Sequence, residues 1–206
     1  MRPLDRERIN DFAARVFVGA LFVLLSLNLL GDYSRTHRLT GLLLLVSEAL
    51  VVVLTVARRR ALVVDRSMVA RVATVLSVAG PPLLRTAESA SPIGDYTTAL
   101  ISAAGLCLVI AGKVTLGRSF GVVPANRGVV AAGPYLLVRH PIYAGYLVTH
   151  LGFVVAHPTL RNLAIVAVAD TALVVRALVE ERILGRDERY RAYCSRVGWH
   201  LLPGVF

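Results

Sequence analysis

Lysine is almost missing from this 206-residue chain: Lys113 is the only one, against 22 arginines. Charge of any kind is sparse, at 17% of residues, while 56% are hydrophobic and the mean hydropathy is +0.65. That balance excludes an ordinary soluble domain, because the apolar residues also fall in long blocks suited to a bilayer. Cysteine is as scarce. Cys107 lies mid-block and Cys194 in the polar tail, so neither a disulfide between them nor a metal-binding spacing is expected. Internal repeats and low-complexity linkers are absent as well. The glycines at 117, 121, 128 and 133 do not follow a strand, which argues against a dinucleotide fingerprint and against a soluble Rossmann enzyme. The arginine bias, with abundant Ala and Val, is what a GC-rich bacterial genome produces.

The blocks that are present run over about residues 13–31, 40–57, 68–84, 97–116, 142–156 and 162–179. A span takes ~20 apolar residues, or ~17 at the short end. The expected architecture is therefore an all-α integral membrane protein of about six transmembrane helices, or five plus a re-entrant segment, since the fifth block is short and ends at His157–Pro158. The basic residues before the first block resemble a secretory signal, but no small-residue cleavage site follows, so that block reads as the first span. Placing the N-terminus inside puts 19 basic residues on the cytoplasmic side and leaves Arg35, Arg38, Arg85 and Arg161 outside. The net charge of +10 thus follows topology and is no nucleic-acid footprint. Both termini and the polar motifs are expected to face the cytoplasm, with the protein multi-pass in the cell (inner) membrane. Arg71 and Lys113 are expected to snorkel from helix ends.

Residues 1–206 form one membrane domain, with a helical scaffold over 1–115 and the chemistry over 116–206. From Leu116 the texture changes: GRSFGVVPANRGVVAAGPYLLVRHP is too rich in Gly and Pro for one helix. Downstream, VVRALVEERILGRDERYRAYCSRV reads as an amphipathic C-terminal helix leaving the membrane. WHLLPGVF folds back toward the interface, where Trp199 is at home.

The informative stretch is GPYLLVRHPIYAGY, residues 133–146. Pro141 fits the first position of a helix and pushes His140 into an extended N-cap position. At about 100° per residue, His140, Tyr143, Tyr146, Leu147 and His150 share one face. Gly145 and Ala144 permit close approach of a neighbouring helix. In the sixth block Asp170, Arg176, Glu180 and Glu181 share another broad face, with Arg176 and Glu180 spaced to pair. Ionisable groups within spans face a bundle interior or a wet cavity, so the two faces are expected to meet across a pocket for a polar, zwitterionic small molecule. His150 reads as a packing residue with a hydrogen-bond partner. Glu48 and Asp170 are secondary candidates for a role at the substrate.

LGRSF, GPYLLVRHPIYAG, R-x-x-x-EE, YRAY and the late LP together resemble the isoprenylcysteine carboxyl methyltransferases and their bacterial relatives, over about residues 112–204. Phospholipid N-methyltransferases and some sterol reductases share parts of this region. The resemblance implies an integral-membrane methyltransferase that uses S-adenosylmethionine on a lipophilic acceptor, a carboxylate foremost, with thiol or amine open. It implies cofactor binding by Tyr135, Leu136, Val138, Arg139, His140, Tyr143, Glu180 and Glu181. Arg176, Glu180 and Tyr143 are the implied catalytic residues, with Arg176 near the acceptor. The sequence departs from the family pattern where GRDE stands between the acidic pair and Tyr190, so Tyr190 is not carried over and the choice between Glu180 and Glu181 stays open. The expected partners are the bilayer and a lipid or lipophilic acceptor, with no metal and no nucleic acid. The rival readings are an NADPH-dependent sterol-type reductase and a non-catalytic membrane scaffold.

Overall fold

The computed structural model describes residues 49–59, 61–87 and 92–205, with isolated helical positions between Phe12 and Gly31. The first two expected spans fall largely outside the described residues, and Glu48 lies outside them altogether. Residues 49–57 are helical. Five helices follow: α1 (Met68–Ala79), α2 (Asp95–Leu116), α3 (Pro141–Ala156), α4 (Leu160–Leu184) and α5 (Glu188–Cys194). Two helical segments, Asp95–Ser119 and Leu160–Leu184, are long and apolar enough to cross a membrane. The 16-residue α3 reaches only about 24 Å at the helical rise of ~1.5 Å per residue, short of a ~30 Å hydrocarbon core.

Capping fixes the ends. The Ser67 side chain accepts from Ala70 N at α1, and Thr159 does the same for Asn162 N at α4; such caps satisfy helix N–H groups that lack a partner. Asn162, wholly buried, donates to the carbonyls of Arg85 and His157, tying the α3–α4 turn to the segment after α1. The expected continuous C-terminal helix is in fact two. The chain breaks at Gly185, and Asp187 then starts α5 by accepting from Arg189 N. Polar GRDE supplies both the stop and the new cap.

The all-α expectation needs one addition. β1 (Val63–Val64) pairs antiparallel with β2 (Ala125–Asn126), Val63 opposite Asn126. Further bonds from Arg59 N to Arg118 O, from Leu62 N to Asn126 O and from Asp65 N to Pro124 O tie these residues to the Gly-rich segment. As expected, that segment is not one helix; it contains 3-10 turns at Gly117–Ser119 and Gly133–Leu136.

Helix α3 lies against α2 through glycine. A Cβ on Gly145 would stand 2.7 Å from Gly105 O, and one on Gly152 2.4 Å from Ser102 Oγ. Backbones this close leave no room for a side chain, as at small-residue membrane contacts. Gly145 and Gly152 lie seven residues apart, on the side of α3 roughly opposite His140, Tyr143 and His150. The contact therefore sets the rotation of α3 and turns the polar stripe toward α4. Gly145→Val is expected to destabilise the fold by about 3 kcal/mol through overpacking. An unfolding midpoint in detergent equal to that of the unmodified protein would refute this account.

Candidate active site

His140 takes the N-cap position of α3 with φ −127°, and its side chain is not used for capping. Its Nε2 instead lies 3.0 Å from Glu181 Oε1, which also receives His200 Nδ1 at 2.7 Å. Arg139 Nη1 donates to Glu181 Oε2 at 3.2 Å, while its Nε and Nη2 donate to the carbonyls of Val197 and Cys194. The backbone completes the clasp, with Arg139 N and His140 N donating to Trp199 O and His200 O. The C-terminal segment does fold back, but onto the RHP turn. Tyr193 OH donates to Tyr135 O, fastening α5 to the same loop.

Glu180 points elsewhere. Its Oε2 accepts from Tyr143 OH at 2.9 Å. The Tyr143 ring stacks on His140 at 5.4 Å between centroids, and the Arg176 guanidinium lies 5.2 Å from the Tyr143 centroid. The expected Arg176–Glu180 pairing is replaced: Arg176 Nη1 donates to Ser77 Oγ of α1, and Nη2 to Val122 O. Spacing permits the intrahelical pair, but Tyr143 and two acceptors on neighbouring elements provide better-placed partners.

These groups border a cavity of about 690 Å³, whose lining includes Tyr135, Arg139, His140, Tyr143, Arg176 and Glu180. Of the other expected site residues, Glu181 is held in the clasp, Val138 is buried, and Leu136 is 61% exposed. None of those three borders the cavity. Arg127, which the sequence reading did not single out, does. It packs so closely over Gly121 that a Cβ there would meet its Nη1 at 2.2 Å. Burial lowers the Arg127 pKa to about 10, with a contribution from Arg58 and opposition from Glu180 and Tyr143; the group stays cationic at neutral pH. The Nε–H groups of both Arg127 and Arg176 are buried without an acceptor among the described residues. Tyr135 and Tyr193 are pushed up, chiefly by burial, Tyr193 to about 12, and remain neutral phenols.

Further along the same face of α3, His150 Nδ1 meets Asp170 Oδ1 of α4, as a packing residue with a partner would. Lys113 does not snorkel. It is fully buried on α2 with Nζ 5.2 Å from the Tyr146 ring centroid, because the Gly112 contact with Ile142 draws that end of α2 against α3. Among the described residues no cluster of three or more His, Cys, Asp or Glu is arranged to hold a metal ion. Arg127, Ser77 and His200 sit in loops or at an unremarkable helix position, where periodicity carries no signal. Only the unusual density of polar residues in PANRG and WHLL could have drawn notice.

No curated protein matches the chain. A family model described as phospholipid methyltransferase matches residues 96–190, which run from the first turn of α2 through the RHP turn, α3 and α4 into α5. Residues 96–190 are thus similar to the phospholipid methyltransferase family, which includes the isoprenylcysteine carboxyl methyltransferases, in a chain with two helical segments long and apolar enough to cross a bilayer.

Proposed function

We propose that the protein transfers a methyl group from S-adenosylmethionine to a lipophilic acceptor reaching the site from the bilayer. The observation that carries this reading is the charge arrangement of the cavity: a carboxylate–phenol pair, Glu180 and Tyr143, shares it with two guanidiniums that have unmatched N–H donors. Such donors are costly to bury without an acceptor. An amino-acid carboxylate fits the Arg127 and Arg176 Nε–H groups, while an ammonium or sulfonium suits Glu180 and the aromatic face of Tyr143. The volume lies within the ~300–1,000 Å³ typical of ligand sites, and Val51, Leu84, Phe153 and Leu173 add an apolar wall for a greasy acceptor.

When bound, the cofactor supplies a methyl group already activated by the sulfonium. The protein then contributes position and a dry site. In this reading Glu180 and Tyr143 orient the donor, Arg127 and Arg176 fix its carboxylate or the acceptor, and the Glu181 clasp holds the RHP turn in place. The arginine asymmetry of the sequence supports a cytoplasmic mouth, in a multi-pass protein of the cell membrane.

Calorimetry with S-adenosylhomocysteine in detergent tests the assignment. Micromolar binding is expected, weakened about 10- to 100-fold in Glu180→Gln, which loses a charge-assisted contact of about 1.5–3 kcal/mol. Folded protein that ignores S-adenosylhomocysteine but binds NADPH would replace this reading with the reductase.

A further inference from the structure

His150 and Asp170 are ionisable groups within helices α3 and α4, where such groups are expensive and face a functional interior. The arrangement has an order. Asp170 stands behind the imidazole at Nδ1, and His150 borders the cavity while Asp170 does not. A carboxylate at Nδ1 fixes the tautomer that leaves the Nε2 lone pair available. No hydrogen bond engages Nε2 among the described residues. The ring is locked laterally by Tyr146, stacked at 6.1 Å, and the glycine contact of α3 with α2 holds the whole stripe toward the cavity. Seven residues separate His150 from Tyr143, so the imidazole lies about 10 Å deeper on nearly the same azimuth. Donor-orienting groups and this dyad therefore share one cavity, at different depths.

We propose that His150, positioned by Asp170, is the general base of the reaction, and that the acceptor is consequently a protic nucleophile, such as a lipophilic amine, thiol or phenol, and not a carboxylate. A carboxylate at neutral pH has no proton to give up and would meet the Asp170 charge unfavourably; a buried base has work only when the acceptor carries a proton. The step balances simply. The acceptor's lone pair bonds to the methyl carbon, the carbon–sulfur bond breaks with its electron pair remaining on sulfur, and the acceptor proton passes to His150 Nε2. The imidazolium so formed is stabilised by Asp170. This assignment rests on the methyltransferase reading above.

The test compares tetradecylamine and tetradecanethiol with tetradecanoic acid as acceptors, using the unmodified protein, His150→Gln and Asp170→Asn. Methylation of the amine or thiol over the acid is expected, and His150→Gln should reduce it at least a hundredfold, in line with the ~10²–10⁴ of general-base catalysis. Affinity for S-adenosylhomocysteine should stay within twofold in both variants. Failure of the unmodified protein to bind S-adenosylhomocysteine would sink the methyltransferase reading itself, a separate result. Among the described residues, Tyr146 stacks on the His150 ring and Lys113 lies beyond the Tyr146 ring. A readout without turnover is ¹⁵N-histidine spectroscopy, assigned by difference against His150→Gln. It should show the Nδ1–H tautomer, lost in Asp170→Asn. Preference for the acid, turnover of His150→Gln within threefold, or an Nε2–H tautomer in the unmodified protein would each overturn the proposal.

Discussion

Replacing Glu181 with alanine is expected to free the C-terminal segment and to reduce S-adenosylhomocysteine affinity at least thirtyfold. One carboxylate receives Arg139, His140 and His200, and it holds two stretches of chain, 139–140 and 199–200, side by side. Removing one partner of a buried ion pair costs ~3–5 kcal/mol; Glu181 retains 15% side-chain exposure, and solvent screening brings the figure to about 2–3 kcal/mol. The unfolding midpoint should fall by several degrees, and limited proteolysis should cut within residues 196–205, which are expected to resist it in the unmodified protein. His200→Ala removes one of the three contacts and should reproduce a fraction of the effect. Glu180→Ala touches no part of the tail and should leave proteolysis unchanged. Equal protection in Glu181→Ala would remove the clasp from the account of how the RHP turn is held.

Arg176→Lys should reduce methyl transfer at least a hundredfold, measured with a labelled methyl donor and a lipid extract. The guanidinium holds three directions at once: Ser77 on α1, the Val122 carbonyl in the Gly-rich segment, and the face of Tyr143. An ammonium is a compact charge on a flexible stem and cannot reproduce the planar fork. The substitution both removes the free Nε–H and loosens the cavity wall. Ser77→Ala separates these contributions. It deletes one hydrogen bond, worth about 1 kcal/mol net, and should leave turnover within threefold. Turnover of Arg176→Lys within twofold of the unmodified protein would remove Arg176 from the site.

Much of α3 could be read before folding. The RHP start, the helix that follows and its stripe of His140, Tyr143, Tyr146 and His150 all come from local rules, the fixed φ of proline and the helical repeat. The break at GRDE was harder, because charged helix formers surround it and only the Asp187 cap reveals the new start. The short β pairing of Val63–Val64 with Ala125–Asn126 was illegible, since two-residue strands have no period to detect. Lys113 was misread for a related reason: position near a helix end suggests snorkelling, yet the tight α2–α3 contact buries that position.

By itself the sequence determined that an RHP-capped helix and an acid-bearing helix would present polar faces within an apolar chain. The tertiary structure alone separated Glu180 from Glu181. Neighbours on a helix diverge by about 100°, which leaves both on one broad face and gives no local reason to prefer either. The returning C-terminal segment brings His200 to Glu181 and leaves Glu180 to Tyr143 and the cavity, because a contact between residues far apart in the chain is fixed by packing and by no pattern in either stretch.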